Sequence, residues 1–175
     1  MNPWMTGGVV LLSGIATWWD LRYRRIPNLL TLPALGIALC LHGATGAGPG
    51  LLLSLGGALA AGALLLPGYV MRFTGAGDVK LLMAVGAFLS FPQALMAGLL
   101  ALVLGGVLGL LTALRLGRLG HVLTRSFGLA RWVAHRAKGS PLARPMPSGL
   151  RVPFGVAIAL ATLLVVLVPG LGGSR

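Results

Sequence analysis

Apolar residues run along this chain in long blocks instead of alternating with polar ones. Six blocks stand out, at residues 5–19, 28–41, 49–69, 79–91, 93–114 and 152–168. Several fall short of the ~20 residues that a perpendicular membrane span needs. Local thinning of the bilayer, or extension into its interface, accommodates a short span. Helix is the only state open to such blocks, because an open strand leaves its backbone unsatisfied in lipid. The pattern therefore predicts an all-α fold, a polytopic membrane helix bundle of about six transmembrane helices. The two blocks on either side of Pro92 can also be read as one long kinked helix, which would give five spans.

Composition agrees. The chain is 57% hydrophobic and 9% charged, against about 25% charged residues in a soluble domain. Too little polar surface exists to cover a water-soluble globule. The net charge of +12 does not indicate a nucleic-acid partner, because the basic residues lie between the apolar blocks, as membrane topology requires. They also alternate. Arg22, Arg24 and Arg25 follow the first block; Arg72 and Lys80 flank the start of the fourth; eight more lie between Arg115 and Arg151. The intervening connections, 42–48 and the turn near Pro92, carry none. Six spans collect all the basic residues but Arg175 on one side, which the positive-inside rule makes cytoplasmic. Both termini are then expected outside, in a bacterial cytoplasmic (inner) membrane. The N-terminus has no Lys or Arg ahead of its apolar block and does not read as a cleaved signal. Cys40 is the only cysteine, so no disulfide within the chain and no CxxC zinc site is possible.

Residues 116–138 do not read as a span. Leu116, Leu119, Leu123, Phe127, Ala130, Ala134 and Ala137 share one helical face, and Arg118, His121, Arg125, His135 and Arg136 share the other. This predicts a basic amphipathic helix lying on the anionic inner leaflet, with anionic lipid as its partner. A Pro/Gly/Ser-rich linker follows at 139–149, and the basic connection as a whole covers 116–151. No repeat and no separate soluble domain is evident, so residues 1–175 read as a single membrane domain.

Only two acids occur in the chain, Asp20 and Asp78. A carboxylate at membrane depth costs on the order of 3 kcal/mol on insertion scales, so its presence points to function. For Asp78, which follows Gly75-Ala76-Gly77, the structural explanation is a helix cap. For Asp20, followed by Arg22, it is a surface ion pair, usually worth ~0–1 kcal/mol. The C-terminal end of a helix is the wrong place for an acid on macrodipole grounds. That argument favours charge on Asp78 and places a shared proton mainly on Asp20. Both acids fall at the same depth on the cytoplasmic side. Two carboxylates in one site can share a proton, one activating water while the other donates to a scissile carbonyl. The three histidines, His42, His121 and His135, read as solvated, and no metal-ligand set or cofactor motif is present.

The stretches DLRYRRIPN (20–28) and GAGDVK (75–80), followed by RVPFGVAIA (151–159), resemble the type IV prepilin peptidases, GxGD-class membrane aspartyl proteases. The likeness runs through nearly the whole chain in the right order. It implies an aspartic endopeptidase that removes the basic leader from pilin-like precursors at the cytoplasmic membrane face. It implies Asp20 and Asp78 as the catalytic pair. Arg22, Ile26, Pro27 and Asn28 from the first motif, Gly75, Gly77 and Lys80 from the second, and Pro153 at the last helix support them. The paired CxxC motifs and N-terminal methyltransferase region of long members are not matched. The resemblance is therefore to the short branch that serves tight-adherence pili, and N-methylation is not expected. Two alternatives remain at this stage. One is a presenilin-type protease cutting within substrate helices. The other is a proton-coupled transporter or assembly subunit, for which acids near the midplane would be expected.

Overall fold

In the computed structural model, residues 3–70, 74–117, 120, 124, 128 and 153–168 are described. Among them are five α-helices and no strand: α1 (Pro3–Tyr23), α2 (Asn28–Val70), α3 (Ala76–Leu89), α4 (Phe91–Arg115) and α5 (Phe154–Leu167). The all-helical fold is as expected, and α2 and α4 are each long and apolar enough to cross a membrane. Side chains are distributed as lipid, not water, would require. The buried core is rich in alanine, including Ala16, Ala58, Ala61, Ala84, Ala87, Ala97 and Ala101, while Leu29, Leu52, Leu59 and Val103 face outward. Small residues inside let helix backbones approach, which drives association where no hydrophobic effect operates between helices.

A straight helix of 43 residues would run about 65 Å, twice the hydrocarbon thickness. It does not, because Ala47 (φ 49°, ψ −141°) lies outside helical geometry and breaks α2 into two arms, 28–46 and 48–70. The break falls in the glycine-rich connection expected between the second and third blocks, but the first arm stays helical to its edge. Contacts with α3 show how the arms run. Ile26 and Asn28 lie beside Gly77 and Lys80, and His42, which is buried and not solvated as expected, lies beside Ser90, so the first arm runs parallel to α3. In the second arm, Ser54 donates to the Ala87 carbonyl (2.8 Å) and Gly68 lies beside Thr74, so that arm runs antiparallel.

The kinked-helix alternative around Pro92 is not what forms. Ser90, at φ 67°, ends α3, and Pro92 sits in the first turn of α4, where a missing N–H costs nothing. Beyond the turn, Gly98 packs near Leu64 and Leu82, so α4 folds back along α3.

The chain forms two compact units. The first comprises 1–105 and 153–175 and holds α1 to α3, the first part of α4, and α5. The second, 106–152, contains the end of α4, closed by Gly117 at φ 62°. Residue 116 is therefore in a turn and not in the expected amphipathic helix. Residues 120, 124 and 128 are helical, and the remainder of 118–138 and the linker lie outside the described residues.

One close helix crossing sets glycine on glycine. A Cβ on Gly86 would stand 2.5 Å from the Gly57 carbonyl oxygen and 2.7 Å from Ala61 Cβ, and one on Gly57 would strike the Gly86 carbonyl. Both obstacles are backbone or backbone-bound, so neither can swing aside. Gly86→Ala should therefore separate α3 from the second arm of α2, at a cost of roughly 1–3 kcal/mol. Gly36→Ala, where nothing lies within 4 Å, should be neutral. Thermal unfolding of both variants in detergent is the check.

Candidate active site

Asp20 lies in the last turn of α1, which extends to Tyr23, beyond the predicted end of the block. Arg24, at φ 50°, closes the helix, its N–H donating to the Asp20 carbonyl at 2.8 Å. The side chain is turned inward, and Asp20 is 7% exposed. There it meets the start of α5, whose Gly155 N–H donates to Asp20 Oδ2 at 2.9 Å. The expectation that Asp20 faces only the negative end of a helix is thus incomplete. A second helix, 135 residues away in sequence, presents its N-terminal end to the same carboxylate. The ground for placing the shared proton on Asp20 falls with it.

Asp78 is the third residue of α3, and Gly75 holds the N-cap position expected of Asp78 itself. The side chain still caps. Its Oδ2 accepts the Gly75 N–H at 3.0 Å, which is half of a capping box; glycine has no side chain to return the other half.

The two acids are thus held alike. Each is gripped through Oδ2 by the backbone N–H of a glycine in the opening turn of a helix, and among the described residues Oδ1 of each carries no hydrogen bond. Space is tight at both glycines, more so at Gly155. A Cβ on Gly155 would lie 2.8 Å from Asp20 Oδ2, and one on Gly75 would lie 3.2 Å from Asp78 Oδ2. Both acids lie at the same end of the bundle, because Gly77, next to Asp78, packs against Ile26, six residues after Asp20.

The supporting residues join the same end of the bundle. Gly77 gives Ile26 room to pack, since a Cβ there would stand 3.1 Å from Ile26 Cβ and 3.2 Å from its carbonyl oxygen. Lys80 Nζ donates to Asn28 Oδ1 at 2.9 Å, tying the second motif to the first. Pro27 precedes α2 rather than opening it, and its carbonyl accepts the N–H of Leu30 (3.1 Å). Pro153 does the same for α5, accepting from Val156 at 3.3 Å. The cation whose charge reaches Asp20 is Arg24; Arg22 is exposed and makes no ion pair with Asp20 among the described residues. Gly155 is the partner of Asp20 that motif reading passed over. Its signal was a glycine two positions after the proline that opens the last block.

The Lys80–Asn28 bond is exposed, so its value lies in registering two helices more than in stability. Lys80→Ala and Asn28→Ala should each lower turnover about three- to tenfold, and the double variant should lose no more than the worse single one, the non-additivity expected of contacting residues. Initial rates of the four proteins decide it.

The chain matches the model of the type IV leader peptidase family over residues 8–110. That stretch includes both acids and stops before α5, the helix that holds Asp20. No curated protein matches, and no solved structure matches.

Proposed function

The chain belongs to the type IV leader peptidase family, and from that premise we propose that it is an aspartic endopeptidase whose catalytic pair is Asp20 and Asp78. What supports the reading is that the only two acids in the chain lie at the same end of the bundle. They come from helices far apart in sequence, and glycine N–H groups of matching type hold them at one end of one bundle.

With one proton shared between the carboxyl groups, the unprotonated one takes a proton from water. The water oxygen bonds to the scissile carbonyl carbon while the protonated partner donates to the carbonyl oxygen. A gem-diol results. As it collapses, the C–N bond breaks, the leaving nitrogen takes a proton from one carboxyl, and a diol hydroxyl returns its proton to the other. The pair ends as it began, holding one proton. The glycine donors keep both carboxylates oriented throughout, so little reorganisation accompanies the reaction.

The substrate class is a prepilin-like precursor, a short basic leader followed by an apolar helix. Six spans, counting the arms of α2 separately, place the connections after α1, before α3 and before α5 on the cytoplasmic side of a bacterial inner membrane, with both termini outside. The precursor's basic leader stays on that side by the same rule, so its cut site reaches the depth of the two acids. The enzyme's own arginines repel the leader and attract anionic lipid. Recognition then rests on the apolar helix of the substrate.

Reconstituted with such a precursor in vesicles, the chain is expected to release the leader by a single cut where the basic segment meets the apolar helix. Mass spectrometry of the products reads the position. A cut well inside the apolar helix would replace this reading by an intramembrane protease of presenilin type, and no cut in any medium would overturn it.

A further inference from the structure

Three aromatic rings beside Asp20 take no part in the chemistry above. Trp18, Trp19 and Tyr23 form one cluster, with ring centroids 5.6, 6.1 and 5.5 Å apart. They are 57%, 36% and 54% exposed, while Asp20, on the same two turns of α1, points inward. Near the other end of α1 stands Trp4, 79% exposed. At 1.5 Å per residue the rise from Trp4 to Tyr23 is about 28 Å, close to the ~30 Å of a bilayer's hydrocarbon core. Tryptophan and tyrosine pair an apolar ring with one polar group, and they settle where hydrocarbon meets headgroups. Arg22, Arg24 and Arg25 are exposed at the same end and draw that end toward an anionic leaflet.

We propose that the Trp18–Trp19–Tyr23 cluster is a depth gauge: it binds the phospholipid headgroup interface and so sets how deep Asp20 sits, and with it which bond of a membrane-anchored substrate meets the acid pair. The inference rests on the peptidase reading above. The rigidity of the helix carries it. Trp19 and Asp20 are neighbours in one continuous α1, so the rings cannot shift along the membrane normal without moving the carboxylate.

The test compares wild type, the pair Trp18→Ala/Trp19→Ala and the pair Trp18→Tyr/Trp19→Tyr. Each cleaves a prepilin-like precursor in phosphatidylethanolamine–phosphatidylglycerol vesicles and in detergent micelles. The alanine pair should lose at least fivefold in vesicles and less than twofold in micelles. The tyrosine pair, which keeps an amphipathic ring, should stay within twofold of wild type in both. Equal loss in vesicles and micelles would overturn the proposal, since the rings would then serve packing or substrate docking. No loss in vesicles would overturn it too. A second readout does not depend on cleavage. In a chain carrying Trp4→Phe and Trp132→Phe, fluorescence from Trp18 and Trp19 should be quenched more by lipids brominated near the headgroup than by lipids brominated near the chain ends. The reverse order overturns the gauge whatever the enzyme does. The shallow order with no cleavage by wild type supports the gauge's placement and sinks the peptidase reading alone.

Discussion

Asp20→Asn and Asp78→Asn should each reduce leader removal by about 10²–10⁴-fold, the range that positioned acid–base groups contribute, with the protein still present in the membrane. Asparagine keeps the shape of aspartate and can still accept the glycine N–H through its amide oxygen, so the fold should survive. What it loses is the exchangeable proton. In either variant one member of the pair can neither accept a proton from water nor pass one to the leaving nitrogen. Because the two act as a unit, the double variant should be no worse than either single one. The assay is precursor cleavage followed on gels, with membrane levels matched across the panel. A variant that keeps more than a tenth of wild-type activity would remove its acid from the catalytic role. For Asp78 that outcome would leave the capping contact to Gly75 as sufficient reason for its presence.

Gly155→Ala should be the most damaging substitution outside the acid pair. The added Cβ would stand 2.8 Å from Asp20 Oδ2 and 3.1 Å from Asp20 Cβ. Real Cβ atoms do not approach so closely, so either α5 moves away or the carboxyl rotates out of its hydrogen bond. Both break the grip on Asp20. A displacement of ~1 Å at a reacting group costs on the order of 10²-fold in rate, and the overpacking itself costs roughly 1–3 kcal/mol. The loss should fall on kcat, with KM within about twofold, because Gly155 grips Asp20 and the apolar substrate helix carries recognition. Gly14→Ala, also on a helix but with nothing within 4 Å, is the control. A fall in KM-linked binding with kcat preserved would assign Gly155 to the substrate path instead.

The stretches around Asp20 and Asp78 were legible without a structure because their residue types are rare in this composition. An acid is conspicuous among 175 residues that hold only two. The helix blocks were legible for a related reason, since lipid admits few alternatives to helix. What misled was the assumption that a residue's electrostatic setting comes from its own helix. Asp20 was judged by the end of α1, yet its donor comes from α5. The structural alternative for Asp78 was a cap at the N-cap position, and its side chain does cap, from the third position of α3. The family match likewise ends at residue 110, short of the glycine that donates to Asp20.

By itself, then, the sequence determined the helical state, the membrane setting, the pair of acids and the order of the motifs, because those depend on composition and on local periodicity. Tertiary structure decided where α2 breaks, that the chain turns back at Ser90, which glycines must be glycines, and that the last helix supplies a hydrogen bond to the first acid. These depend on which backbones approach one another. Such contacts join residues 33 to 135 positions apart, a separation over which no local pattern in the chain carries information.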